Sequence, residues 1–110
     1  MKTLSLALNV EGLTLVGEDK EKSPVELCTL VMKNMILAFG AQNRGLSEDD
    51  RRRYYKICGV FEKAVKENLD KVELEDDWFG FIKKCRREGL LMPSDLLKRV
   101  EDLVEEVKDR

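Results

Sequence analysis

The segment from Ser23 to Phe39 limits the folds open to this chain more than any other feature. Ser23, Pro24 and Glu26 occupy the N-cap, N1 and N3 positions of a capping box that carries the favoured proline. The polar side chains of the segment then fall on one narrow stripe, at Glu26, Thr29, Lys33 and Asn34. A helix that is apolar around most of its circumference has to be covered on several sides. We therefore expect a buried central helix over 24–40, ended by a stop at Gly40 or Gly45.

The N-terminal residues predict a β-hairpin. Residues 3–10 alternate between apolar and polar side chains, as a strand with one buried face does. Glu11 and Gly12 separate them from a second apolar run at 13–16, and a two-residue turn there would place Leu8 opposite Leu15 on the buried face. Residues 71–75 alternate as well, so the sheet has two strands, or three if 71–75 joins it.

Three further helices complete the predicted fold. A second capping box at Ser47 starts an amphipathic helix, and Asp76 or Asp77 caps a short one that Gly89 closes. The last helix begins at about Asp95, after a break at 92–94. At 110 residues the chain is expected to be a single α+β domain over 1–110, with the hairpin packed on about four helices.

Composition indicates a folded protein of a reducing compartment. The chain is 43% apolar and 38% charged with a net charge of −2, which favours a packed core over disorder. Three scattered cysteines argue against a disulfide framework. Neither a signal peptide nor an uninterrupted membrane span is evident, because Lys33 and Asn34 divide the longest apolar stretch. We expect a cytoplasmic location.

The residue types that catalysis most often uses are sparse. The chain contains no histidine, which excludes Cys-His and Ser-His nucleophiles and the commonest metal ligand. Cys28, Cys58 and Cys85 lie on apolar helix stripes, where cysteine behaves as a small hydrophobe. One acidic cluster, formed by Glu73, Glu75, Asp76 and Asp77, could bind a hard cation such as Mg²⁺ or Ca²⁺. The favoured interpretation is structural: the glutamates lie on the outer face of a strand, and the aspartates cap a helix. We predict that the protein is not an enzyme and uses no metal and no cofactor.

Two basic clusters offer nucleic-acid binding as an alternative function. If their helices lie side by side, they would form a phosphate-binding patch. The net charge of −2 and the acidic residues just before the first cluster place this hypothesis second. The candidate contacts are Arg51, Arg52, Arg53, Lys83, Lys84, Arg86 and Arg87.

Apolar surface beyond what a small domain covers predicts self-association instead. The central helix carries more of it than a small sheet and three modest helices bury, so we expect a homo-oligomer, another protein partner, or both. The candidate interface residues are Val31, Met35, Leu97, Val100 and Val104. The leading hypothesis is a non-catalytic interaction or assembly protein.

Two stretches carry a resemblance to a known class of proteins. Leu46–Lys56 and Lys71–Lys84 resemble segments of small accessory proteins of tailed phages and prophages, in which a capped helix and a short Val-Glu-Leu strand precede a helix with an acidic start. The resemblance is confined to residues 46–88 and carries over no functional residue. It implies a non-enzymatic role in assembly, or in regulating host or phage machinery.

Overall fold

The computed structural model describes residues 1–107 and confirms an α+β domain with four helices. A 3-10 turn at Gly17–Glu21 leads into the first helix. In chain order the strands and helices are β1 (Lys2–Ser5), α1 (Pro24–Gln42), α2 (Glu48–Glu67), β2 (Lys71–Leu74), α3 (Asp76–Glu88) and α4 (Asp95–Glu105).

The predicted capping residues start two helices as expected, and a third serine does the same for α4. The hydroxyls of Ser23, Ser47 and Ser94 each accept a hydrogen bond, at 3.1–3.2 Å, from the backbone N–H three residues on. The exception is α3, whose N-cap is Glu75 without a side-chain cap, and not an aspartate. After α1 ends, Arg44 takes a left-handed conformation with a φ of 59°, which turns the Gly45 N–H back to donate to the Gly40 carbonyl at 2.6 Å.

The helix α1 is the centre of the domain, as predicted. It packs against α2, α3 and α4, and buries residues on every turn, with Cys28, Met32 and Ile36 fully inaccessible. Its length and apolar composition would also suffice to cross a membrane, although half of that window is buried inside the domain. Contrary to the sequence interpretation, Lys33 and Asn34 therefore do not make α1 too polar to meet the length and composition of a membrane span.

The sheet differs from the predicted hairpin. β1 pairs with β2 in antiparallel register, with Leu4 opposite Val72 and Lys2 opposite Leu74, so the strand at 71–74 joins the N-terminal strand, which the sequence left open. The predicted strand at 13–16 is wrong, because this stretch is irregular and Val16 is 70% exposed. The N-terminal segment has an inner face as predicted, since Leu4, Leu6 and Leu8 are all buried.

Turn geometry explains why residues 3–16 form no hairpin. The turn at Glu11 and Gly12 exists, and the Leu13 N–H donates to the Val10 carbonyl at 3.1 Å. Only Gly12 has a positive φ there, which corresponds to a type II turn. Two-residue hairpins need the mirror-image turns, since type II splays the flanking strands. The side chain of Arg99 on α4 instead donates to the carbonyls of Asn9 and Glu11, at 2.8 and 2.6 Å.

This contact predicts that Arg99 holds the N-terminal loop onto α4. Replacing it with methionine keeps much of the length of the side chain but leaves two loop carbonyls without their charged donor. We expect Arg99→Met to lower the free energy of unfolding in urea by about 1–2 kcal/mol. Lys98→Met is the matched control, because Lys98 is exposed and pairs with Asp102 of its own helix; a change of under about 0.5 kcal/mol is expected there. Equal effects of the two substitutions would contradict the assigned role.

Candidate functional site

The cysteines form no reactive cluster. Cys28 and Cys85 are buried, and burial raises the pKa of each thiol to about 12. Cys58 is half-buried, and its thiol shares a hydrogen bond with the Tyr54 hydroxyl. Burial and then this bond raise the pKa of Tyr54 to about 12. The predicted burial holds for two of the three thiols and holds only in part for Cys58.

Among residues 1–107, no three acidic or cysteine side chains converge in a way that could hold a metal ion. The acidic cluster is divided by the fold. Glu73 lies on the exposed face of β2, Glu75 occupies the N-cap position of α3, and Asp77 accepts a hydrogen bond from Arg53 at 2.9 Å. Asp76 lies 3.3 Å from the amino group of Met1.

The arginines of the two basic clusters have partners within the chain. Arg51 donates to the Leu46 carbonyl at 2.9 Å, Arg52 pairs with Glu48 at 2.6 Å, and Arg53 bridges Asp50 and Asp77. On α3, Arg86 pairs with Glu101 and Glu105 of α4, and Arg87 lies 3.6 Å from Glu88. Acidic side chains therefore neutralise most of these arginines.

The lysines of the second cluster lie over aromatic rings. The Lys83 ammonium is 5.8 Å from the ring centre of Phe79, and that of Lys84 is 5.5 Å from the ring centre of Phe39. The two clusters meet at a recess of about 350 Å³ between α2 and α3, which both Arg53 and Lys84 line. The recess also contains acidic groups, so it is not a uniformly basic phosphate site. Its lining residues are Asp50, Arg53, Asp76, Asp77, Gly80, Phe81 and Lys84.

The exposed side of α3 has a distinct charge order. We call it the α3 outer face, and its members are Asp76, Asp77, Gly80, Lys83, Lys84 and Arg87, all exposed. Acidic residues occupy the first turn, basic residues the last turns, and a glycine the middle. A Cβ added at Gly80 would meet no atom of the described chain within 4 Å. Glycine inside a helix costs about 1 kcal/mol relative to alanine, and no packing within the described chain explains it here.

A second surface is apolar and free of charge. A groove of about 350 Å³ runs between α1 and the segment that joins α3 to α4. We call it the apolar groove. Leu90 and Met92 project from that segment and are 82% and 87% exposed. Of the described residues that line the groove, none is charged, in a chain that is 38% charged. They are Val31, Asn34, Met35, Ala38, Leu90, Leu91, Met92, Ser94, Leu96 and Leu97.

The structure brings three of the five predicted interface residues to this groove and moves the others inward. Val31 and Leu97 are half-buried and line it. Met35 lines its floor but is only 1% exposed. Val100 and Val104 are buried between α4 and the rest of the domain, because their stripe packs on α1 and β1. A second subunit cannot contact these two side chains in the closed domain.

The sequence pattern did not identify the residues that project most. Leu90 and Met92 lie in a stretch that the sequence marks only as a chain break before Pro93. The available signal was the run Leu90-Leu91-Met92 itself, which is apolar although it lies between a helix stop and a proline. The sequence pattern also did not mark Gly80 as a site residue. Gly80 lies inside a predicted helix, where no turn requires a glycine.

Comparison of the chain with protein-family models, with curated proteins and with solved structures gives no match. The resemblance of residues 46–88 to phage accessory proteins therefore stays a prediction. The two surfaces that bear on function are the α3 outer face and the apolar groove.

The burial of the thiols gives a chemical test of the site. A thiol-specific reagent at about pH 8 should modify Cys58 in the folded protein and leave Cys28 and Cys85 unmodified until denaturant is added. Raising the pH from about 8 to about 10 should still leave Cys28 and Cys85 unmodified, because pKa values of about 12 keep the two buried thiols protonated. Cys58→Ser is the control and should abolish the modification of the folded protein. Fast modification of a second thiol in the folded state would contradict the assignment.

Proposed function

We propose that this protein is a non-catalytic interaction and assembly protein that acts as a homo-oligomer, with the apolar groove as a contact between subunits. The observation that carries the proposal is the groove itself, in which exposed Leu90 and Met92 stand beside uncharged lining residues. Exposed apolar surface of this kind is characteristic of protein–protein contacts.

The absence of charge among the described lining residues of the groove favours a second copy as the occupant. In a dimer with a two-fold axis, each surface meets an identical surface, so any charge near the axis faces its own kind. A charge-free centre avoids that repulsion. Met92 is a flexible side chain that projects from the rim, and the groove of about 350 Å³ beside it is large enough to receive the Met92 of a second copy.

The setting that we propose is the cytoplasm, and the class is that of phage or prophage accessory proteins. This part rests on the resemblance of residues 46–88 and on the scattered free cysteines. A partner protein other than a second copy would fit the same apolar groove.

Charge placed in the groove should weaken self-association. We expect Met92→Glu and Leu90→Glu each to raise the dissociation constant at least about tenfold, because each buries an unpaired carboxylate in an apolar contact. Sedimentation velocity over a range of concentrations measures this. Val16→Glu is the matched control, since Val16 is also a highly exposed apolar residue and lies outside the groove. Unchanged self-association in both groove variants would refute the groove as a contact.

The nucleic-acid alternative makes a different prediction. It requires binding to mixed-sequence DNA or RNA that weakens steeply with salt and is lost in both Arg52→Glu and Lys84→Glu. Fluorescence anisotropy with labelled oligonucleotides would measure this, with Lys71→Glu as the control on an exposed strand position away from both clusters. The pairing of the arginines with acidic neighbours favours no binding at physiological salt. Tight, salt-dependent binding would replace the proposed function with the alternative.

A further inference from the structure

The charges of the α3 outer face are antisymmetric about Gly80. Asp77 lies three residues before Gly80 and Lys83 three residues after it; Asp76 and Lys84 lie four residues before and after it. All of these positions are exposed, and helical spacing of three and four places them on one side of α3 with Gly80 at the centre. Within four residues of Gly80 the face therefore has an acidic half and a basic half of equal length, and Arg87 extends the basic half by one turn.

We propose that the α3 outer face is a second self-association surface, on which the α3 helices of two copies pack antiparallel with Gly80 at the two-fold axis. This arrangement sets Asp76 of each copy beside Lys83 of the other and Asp77 beside Lys84, because the two-fold axis keeps each side chain on its own side of the helix pair. Each charge then meets its opposite, so the face is complementary to itself. The contact is distinct from the one in the proposed function, because this face shares no residue with the apolar groove.

Gly80 gives the proposal its second support. The helix macrodipole alone favours acidic residues in the first turn and basic residues in the last, but it does not favour a glycine between them. Gly80 lines the recess between α2 and α3, and the space above it is open. A second helix can approach the backbone closely at that point, which is the usual reason for glycine at a contact.

The carboxylates of the face keep enough freedom to take part. Asp76 contacts the amino group of Met1 and Asp77 contacts Arg53, yet their side chains remain 67% and 63% exposed. A contact along a helix of about 20 Å is small, so the dimer is expected to be weak and to form in the micromolar range. Because its charge pairs lie near solvent, raising the salt from about 0.05 to about 0.5 M should weaken it by about tenfold.

Charge reversal tests the pairing directly. Asp76→Lys and Lys83→Asp each place like charges beside one another in the homodimer, and each should raise its dissociation constant at least about tenfold at low salt. Mixing the two variants restores both pairs, since positions 76 and 83 are then both positive in one copy and both negative in the other. We expect a heterodimer at least as tight as the wild-type dimer, measured by sedimentation velocity with one variant labelled. Circular dichroism of each variant confirms that it is folded.

Gly80→Ala separates the contact from helix stability. The added methyl group favours the helix, so the Tm of dilute, monomeric protein should rise by a few degrees. The same methyl group keeps the two α3 backbones apart in the dimer, so the dimer should weaken severalfold. Gly59→Ala is the matched control, because Gly59 also lies in a helix with open space above its backbone. The residues three and four positions away are Tyr55 and Lys56 before it and Glu62 and Lys63 after it, so the charges around Gly59 are not arranged as opposites. It should raise the Tm and leave association unchanged.

The outcomes distinguish the two proposals. To isolate the α3 contact, the same measurements are repeated in Met92→Glu, in which the groove contact is removed. If the wild-type chain self-associates but the charge variants neither weaken it nor combine on mixing, the α3 contact is wrong and the proposed function stands. If the charge cycle holds while Met92→Glu has no effect, the α3 contact stands and the groove contact is wrong. A chain that stays monomeric in every measurement contradicts both.

Discussion

The burial of α1 is the constraint from which the rest of the structure follows. Its Met32 and Ile36 side chains have no access to solvent, and truncating side chains of this kind commonly costs about 2–5 kcal/mol, a large part of the stability of a small domain. Because α1 is apolar on nearly all sides, α2, α3 and α4 each have to pack against it. The small sheet covers the remaining core, with Leu4 and Leu74 fully buried.

One stripe of α1 remains uncovered, and this explains where the apolar groove lies. Leu37 is 49% exposed, and Val31 and Ala38 are only half-buried. The segment from α3 to α4 crosses beside this stripe and adds Leu90 and Met92 without closing over it. The surplus of apolar surface that the sequence predicts is therefore present but confined to one side, and it lies next to a segment that the sequence marks only as a break.

Local rules predicted the helices well, and non-local pairing is where prediction from the sequence failed. Ser23 and Ser47 identify their helix starts because a cap depends only on residues within four positions. The alternation of Leu4, Leu6 and Leu8 shows that one face is buried but not which strand pairs with it. That choice depended on the turn at Gly12 and on the distant Arg99.

The interface prediction failed at Val100 and Val104 for the same reason, since an apolar helix stripe is identical in sequence whether it packs inward or outward.

Self-association through the surfaces that the fold leaves uncovered can be measured on the wild-type protein alone. Sedimentation equilibrium from about 1 μM to about 0.5 mM at low salt covers the affinities expected of such contacts. The weight-average mass should rise with concentration from 12.7 kDa towards at least twice that value, and salt should reverse only the part of the rise that the α3 outer face contributes. A mass that stays at 12.7 kDa throughout would show that neither surface joins two copies of the chain.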